Sequence, residues 1–453
     1  MALNKVETRL FIVAVVFRLV FVAWLNFAPA EYRPGFAVVT PDSKGYLTLA
    51  SHLIQGEGYH FGGDHQEPTR IPPLFSFWLA IWGHLSLHPA AVGAVNALLG
   101  GLTTVLLYKL GLLTNNHRVA LVGASLYAVY PHVLLTSTRV LKEPLSVLLL
   151  VAFSLSWTKV LEAGHEFGRK TRWSLLAGAL LGLSVLSRYL HLGLLCMVLA
   201  VHLVLLVGGS RFRVSRGSLA VSTLVITLVT VLTVAPWIYR NYRVTGEMVL
   251  STHGPMRYLY NSNSALATPE TWGYYEAKTE TGEKWDEKAR DLAEKLGSVV
   301  PDNDPDHLLH PAIISEKDAL HTQEQKFAKA TAISTSSDPG HVLSLVKGKL
   351  INTWRPVWKG SSKLTWLCIG LPHILLILLA AQGTLWRWKK ESLPVRLVPL
   401  CLVLFYFLAH AVFYGMIRSR LYPMPFLCLL AAVSLCYLAD KIGTLHRDQN
   451  APS

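Results

Sequence analysis

The sequence predicts an all-α protein that crosses a membrane many times, and three observations predict it. Hydrophobic residues make up 52% of the 453 and charged residues only 15%, against about 25% charged in a soluble globular chain. The apolar residues are gathered into long runs, several of them near the roughly 20 residues a helix needs to span a bilayer core. The Lys and Arg that give the net charge of +14 lie mostly in short gaps between those runs. That pattern orients membrane helices; it does not describe a nucleic-acid surface, and no nucleic-acid partner is expected.

Apolar runs fall near 10–28, 92–113, 119–137, 144–160, 173–187, 189–207, 217–237, 364–386, 397–415 and 421–440. The first lacks a convincing A-x-A cleavage site before the next segment and reads as a retained helix. A shorter run, 72–88, begins at Pro72-Pro73 and contains His84 and His88. The expected bundle therefore has about 10–11 helices. Charge decides its orientation. With Lys5 and Arg9 in the cytoplasm and 72–88 not crossing, the inner gaps contain Lys109 and Arg118, then Lys159, Arg169, Lys170 and Arg172, then Arg211, Arg213 and Arg216, then Arg387, Lys389, Lys390 and Arg396, and last Lys441 and Arg447. Every basic loop is then inside. If 72–88 crossed, all later loops would invert, so it reads as a juxtamembrane or re-entrant helix on the outer side.

Two long segments then lie outside. In the first, 29–91, Thr40-Pro41-Asp42 supplies an N-cap, a first-turn proline and a first-turn carboxylate. Tyr46, Leu49, Ala50, Leu53 and Ile54 follow at helical spacing, and Gly56-Glu57-Gly58 stops the helix. The second, 238–363, is polar and turn-rich, with a helix expected at Lys284–Leu296. The chain divides into a membrane core with its first outer loop (1–237), the large extracytoplasmic loop (238–363), C-terminal membrane helices (364–440) and a cytoplasmic tail (441–453). The five cysteines, Cys196, Cys368, Cys401, Cys428 and Cys436, all sit in apolar runs without a CxxC, and read as small hydrophobes.

Several basic residues break the inside rule: Arg70, Arg139, Lys142, Arg188, Arg240, Arg243, Arg418 and Arg420. They fall outside, most of them at outer span ends near headgroup depth, where convergent cations call for an anion; arginine forks match phosphate. Taken singly, each could merely snorkel to headgroups. Arg18 lies deep in the first span, and such a charge marks a site or a pathway. The outer carboxylates near the membrane are Asp42, Glu67 and Glu143. One could act as a general base for a hydroxyl; the plainer accounts are a helix-end charge for Asp42 and a local pair with Arg139 or Lys142 for Glu143. Asp302-Asn303-Asp304 reads as turn chemistry, and His253, His307 and His310 lack metal-binding spacing. No residue is assigned to a metal.

An ordered series of motifs adds a resemblance. Pro41-Asp42-Ser43-Lys44-Gly45-Tyr46-Leu47 through Gly56-Glu57-Gly58-Tyr59, then Glu67-Pro68-Thr69-Arg70-Ile71-Pro72-Pro73-Leu74, Tyr130-Pro131 through Lys142-Glu143-Pro144, Leu186-Ser187-Arg188-Tyr189, Pro236-Trp237-Ile238-Tyr239-Arg240-Asn241-Tyr242, Trp354-Arg355-Pro356 and Arg418-Ser419-Arg420-Leu421-Tyr422-Pro423-Met424-Pro425 run in that order along the chain. The series resembles the GT-C superfamily of membrane glycosyltransferases that use polyprenyl-phosphate sugars, including protein O-mannosyltransferases and lipid A aminoarabinose transferases. Two departures stand out: Asp42 is alone where the mannosyltransferases have paired acids, and Glu143 stands where many relatives have Asp. The resemblance implies transfer of a sugar, with inversion, to the hydroxyl of a glycan, lipid or protein at the extracytoplasmic face. It implies Asp42 as base, Glu67 or Glu143 orienting the acceptor or a cation, and Arg70, Arg188, Arg240, Arg418 and Arg420 holding the donor phosphate. Tyr258–Asn263 of the large loop would cover the site. The resemblance fixes no cofactor; a divalent cation beside the acids is compatible with it. A transporter or flippase would need midplane charges and paired repeats, and none is visible beyond Arg18; a non-catalytic membrane subunit is the other alternative.

Overall fold

The structure, a computed structural model, describes residues 3–28, 38–62, 71–164, 166–208, 215–251, 254–264, 267, 320–357, 361–387, 392–413 and 415–449. Helix α1 (Lys5–Phe27) opens on a capping box. The Asn4 side chain accepts from the Val6 and Glu7 N–H groups, and the Glu7 carboxylate accepts from the Asn4 N–H. Glu7 also pairs with Lys109 at 3.2 Å, tying this end of α1 to α4 (Pro89–Leu112).

Helix α2 (Pro41–Ile54) begins where its capping signals place it. Thr40 Oγ1 accepts from the Ser43 N–H at 3.3 Å, and Ser43 Oγ accepts from the Thr40 N–H at 2.9 Å. Past its C-terminal end, Gly56 turns the chain with φ 76°, a conformation that costs glycine little. Helix α3 (Pro73–Gly83) has 11 residues. It is about 17 Å long, too short for a core of about 30 Å, as the charge argument requires.

The core continues through α5 (His117–Val129), α6 (Pro131–Ser137), α7 (Glu143–Glu162), α8 (Phe167–Ser187), α9 (Leu192–Gly208) and α10 (Arg216–Thr245). The segment 238–363 contributes α11 (Pro255–Asn263), α12 (Leu320–Ser337) and α13 (Pro339–Trp354). Three long helices complete the chain: α14 (Leu371–Arg387), whose span begins at Lys363, α15 (Leu393–Val412) and α16 (Met424–Gln449). Among the described residues, eight helices are long and apolar enough to cross a membrane, or nine with α5 and α6 counted as one span bent by 54°. Pro131 makes that bend: it has no N–H to give back to the preceding turn. The remaining expected span, 173–187, lies in α8, whose first turns contain Arg169, Lys170 and Arg172. Helix α10 continues through Pro236 and runs eight residues past the expected end at 237, to stop at Gly246. The helix expected at Lys284–Leu296, the triplet Asp302–Asp304, and His253, His307 and His310 lie outside the described residues.

Helix α8 packs against both α7 and α10, α1 against α4, and α14 against α16. At the α8–α10 contact, Thr230 Oγ1 donates to the Gly178 carbonyl at 3.1 Å, and a Cβ on Gly182 would stand 2.5 Å from Thr233. Small residues allow this close approach, which is how helices associate where lipid removes the hydrophobic drive. The shared core is built around Trp157, Phe153, Tyr406, Tyr422 and Phe426. Val13, Val16 and Val20 of α1 and Leu224, Leu228 and Leu232 of α10 face outward, as lipid-facing positions do.

Arg18 is fully buried, its guanidinium donating to the carbonyls of Ala14 (2.8 Å) and Ala128 (3.3 Å) beside the Tyr127 ring. Ala128 lies in the last turn of α5, where the bend at Pro131 leaves carbonyls without helical donors. A Cβ on Gly100 would stand 2.1 Å from Arg18 Nε, so that glycine shapes the slot. This intramembrane charge caps a broken helix.

Candidate functional site

The site is assembled from four element ends that meet at one end of the bundle. Ser43, in the first turn of α2, donates its hydroxyl to the Val140 carbonyl at 2.8 Å. That bond docks the start of α2 on the segment leading into α7. Asp42 precedes Ser43, and Glu143 opens α7, so two first-turn carboxylates come together. Asp42 is partly exposed and Glu143 is buried. Both helices begin with a proline in the first turn and an acid beside it, a combination the helix N-terminus favours.

Arg418 joins them. It sits in a short 3₁₀ turn (Ile417–Leu421) between α15 and α16. Its Nη2 donates to Asp42 Oδ2 at 2.7 Å and its Nε lies 3.1 Å from Glu143 Oε1. Burial works against the Arg418 charge, but Glu143 and Asp42 overcome it, so the guanidinium is held protonated more firmly than usual. Glu143 Oε2 is buried without a hydrogen bond among the described residues. Tyr46, one turn after Asp42, is buried against Phe75; burial, then Glu143 and Asp42, push its phenol well above the ordinary range.

The other expected site residues have different partners. Arg188, at the C-cap of α8, donates to Tyr422 Oη at 3.0 Å and lies 4.6 Å over that ring. Tyr422 stacks on Tyr406 at 5.3 Å and carries the chain from the Arg418 turn into α16. Arg240 donates to the Tyr59 carbonyl at 2.8 Å and lies over the Trp237 ring at 5.0 Å, fixing the segment after α2 to α10. Arg420, two residues after Arg418, points elsewhere. It is fully buried and donates to the carbonyls of Arg355 (2.6 Å) and Pro356 (3.3 Å). Burial brings its guanidinium down to about 10. Glu67 and Arg70 lie outside the described residues.

The large loop reaches this end of the bundle through α11 and α13. Asn263 donates to the Val412 carbonyl at 2.9 Å and accepts from Lys349 Nζ at 2.7 Å. Lys349 is a buried ammonium whose hydrogen bonds here go to Asn263 and Val412, and burial lowers it to about 8. The loop thus grips the C-terminal end of α15 just before Arg418.

Sequence reasoning passed over one residue here. The plainer account of Glu143 is a local pair with Arg139 or Lys142, but Lys142 is adjacent to it, and adjacent residues at a helix start do not face each other. Glu143 instead turns to Arg418, and the Lys142 ammonium lies 5.9 Å over the Tyr46 ring.

Two places could be asked to hold a metal. Between Asp42 and Glu143 the Arg418 guanidinium already takes one oxygen of each acid, and Lys142 adds a second positive charge, so those carboxylates are a poor divalent site. His52, Glu57 and His60, at the far end of α2, put three ligand atoms within 4.8 Å. There, however, His60 Nδ1 accepts from the Gly62 N–H at 3.0 Å and its Nε2 lies 3.0 Å from the Glu57 carbonyl. Both its nitrogens are already engaged.

Comparison with known proteins gives the fold a name. Residues 70–237 match the family described as dolichyl-phosphate-mannose-protein mannosyltransferase. The chain resembles the archaeal oligosaccharyltransferase AglB from Archaeoglobus fulgidus, solved in complex with an inhibitory peptide and a dolichol-phosphate. The TM-score is 0.53 at 15% identity over 99% of this chain and 53% of that one. The Archaeoglobus fulgidus oligosaccharyltransferase in the apo form gives 0.56 at 15% identity, covering 97% and 52%. The complex with Zn and sulfate gives 0.54 at 15% identity, covering 95% and 49%. This chain therefore spans about half the length of the structures it resembles, and shares with them the GT-C fold expected from its motifs. No curated protein sequence matches it.

Proposed function

We propose that this chain is an integral-membrane glycosyltransferase that moves a sugar from a polyprenyl-phosphate donor to an acceptor hydroxyl on a glycan, lipid or protein. One observation carries the reading: Arg418 bridges Asp42 and Glu143 at the mouth of a GT-C bundle, where Lys142 lies over the Tyr46 ring and Arg188 donates to Tyr422. The family match over 70–237, which takes in Glu143 and Arg188, supports it. The distribution of basic loops supports an extracytoplasmic site and a cytoplasmic N-terminus.

The chemistry is a single displacement. The acceptor oxygen forms a bond to the anomeric carbon as the bond from that carbon to the phosphate oxygen breaks. The electron pair leaves with the polyprenyl phosphate, and the acceptor proton passes to the carboxylate of Asp42. Attack from the face opposite the leaving group inverts the anomeric centre. Arg418 takes Oδ2 of Asp42 and leaves Oδ1 to the acceptor, fixing the direction of the base. Glu143 holds the other side of the guanidinium. In this reading Arg418 is the resident cation between the acids, and no step passes through a metal.

The test is release of polyprenyl phosphate by purified protein in nanodiscs, given a panel of polyprenyl-phosphate sugars and membrane acceptors. The wild type is expected to release it with at least one donor, and Arg418→Gln to slow release by about 10²-fold or more, the scale of losing a preorganised charge contact. A wild type that releases none across the panel would point to a transporter or a non-catalytic subunit. An Arg418→Gln variant at full rate would remove the bridge from the chemistry.

A further inference from the structure

The Arg418 guanidinium can face its two carboxylates only if the turn that carries it is fixed, and one helix, α13, fixes that turn at three places. Lys349 Nζ donates to the Val412 carbonyl at 3.3 Å and to Asn263 Oδ1 at 2.7 Å, and Asn263 Nδ2 donates to the same Val412 carbonyl at 2.9 Å. The Lys349 carbonyl packs against Gly415 so closely that a Cβ on that glycine would collide with it. At the end of α13, the carbonyls of Arg355 and Pro356 take the Arg420 guanidinium. In sequence, Arg418 falls between the stretch held by Lys349 and the residue held by Arg355 and Pro356.

Lys349 is a costly residue for such a join. It is buried, its partners are an amide and a carbonyl, and among the described residues no carboxylate pairs with it. A buried charge without a counter-charge is unfavourable, so the join uses a property that only the charged form has. Val412 ends α15, where the last carbonyls lack helical donors and the helix dipole presents negative charge. A cation placed there makes charge-assisted hydrogen bonds, roughly twice as strong as neutral ones. Lys349 caps α15 from another element, at the start of the stretch that leads to Arg418.

We propose that Lys349 is a positioning residue for sugar transfer: as an ammonium it ties the end of α15 to α13 and so sets the Arg418 guanidinium between Asp42 and Glu143. This rests on the transferase reading. Lys349 itself touches neither acid. When the ammonium loses its proton, the turn keeps its anchor at Arg420 but its anchor at Val412 weakens, and the bridge loses the alignment that transfer depends on. Burial lowers the ammonium to about 8. The elements packed against it carry Arg257 and Tyr260 on α11, Glu324 on α12, Lys347 on α13 itself, His410 on α15, and Arg418 and Arg420 on the turn; none of them contributes to that lowering. The tie is therefore complete below about 8 and is lost as pH rises through that value.

The pH profile of single-turnover transfer tests this, with the full-length protein in nanodiscs and saturating donor. The wild-type rate is expected to fall about tenfold or more as pH rises past about 8, whereas Lys349→Arg, charged throughout, keeps its rate. Asn263→Asp places a carboxylate beside the ammonium and is expected to move the fall upward by about one pH unit or more. A side chain that only filled space would not respond to that change. At pH 7, Lys349→Met is expected to transfer about tenfold more slowly with donor affinity within about threefold of the wild type. Should Lys349→Met fail to fold, the other two variants decide.

Lys142 is also lowered to about 8, first by burial. A fall that persists unchanged in Lys349→Arg would belong to Lys142 and overturn the proposal, as would an Asn263→Asp profile that coincides with the wild type. A wild type that transfers equally fast across the range overturns the proposal and leaves the transferase reading standing. Hydrogen exchange gives a readout that needs no transfer. At pH 7 the amides of Ile417–Leu421 are expected to exchange about tenfold faster in Lys349→Met than in the wild type or Lys349→Arg; equal exchange in all three overturns the tie. A wild type that transfers from no donor at any pH, while its turn loosens in Lys349→Met, retains the tie and defeats the transferase reading.

Discussion

At the residue scale, the site turns on what a single guanidinium does with its donors. Arg418 divides itself between two carboxylates on two helices, at 2.7 and 3.1 Å. From the sequence it could be placed at the outer face but not given a partner. Charge pattern along a chain reports membrane side, and which acid a given arginine meets depends on packing between residues far apart in sequence. The acids were legible because helix starts announce themselves: Thr40-Pro41-Asp42 reads as a capped first turn without any knowledge of the fold. Lys142 was hidden by its neighbour, since sequence adjacency to Glu143 invites a pairing that helix geometry denies. With a guanidinium between the acids, chelation should not matter. Treatment with EDTA is expected to leave sugar transfer within about twofold of the untreated rate; a large loss restored by added Mg²⁺ or Mn²⁺ would contradict the guanidinium bridge as what serves the acids in place of a metal.

At the element scale, the sequence located most helices and misjudged where some of them break. Helix α2 is legible from cap to glycine stop, and charge alone reads the short run at 72–88 as a helix that does not cross; the 11 residues of α3 are too few to span. The run 119–137 was expected to be one span. It bends by 54° at Pro131, because hydropathy averages over a proline that the backbone cannot ignore. Helix α10 overran its expected end for the opposite reason: its apolar run stops, but Trp237 and Asn241 stay buried and the helix continues to Gly246. These ends matter because elements aim the site. The turn carrying Arg418 is pinned on one side by Lys349 and Asn263 at Val412, and on the other by Arg420 at Arg355 and Pro356. Arg420→Met would leave two buried carbonyls without their charged donor, a loss of about 2–3 kcal/mol. It is expected to lower the melting temperature in detergent and the transfer rate together. A variant that melts and transfers like the wild type would show that the second pin is dispensable.

At the scale of the whole molecule, a bundle of apolar helices presents nearly all its described chemistry at one end. Span interiors contribute packing: Arg18, the charge deep in α1, is absorbed by the carbonyls of Ala14 and Ala128. The likeness to AglB runs along 99% of this chain and about half of that one; the fold is common to both, and what it is used for here depends on the mouth. Single-turnover transfer by the Asp42→Asn variant tests that most directly, with donor binding followed in the same samples. The account predicts that the variant folds, binds donor within about threefold of the wild type, and transfers sugar at least 10³-fold more slowly, because the acceptor proton has nowhere to go. Transfer by Asp42→Asn at the wild-type rate would contradict it.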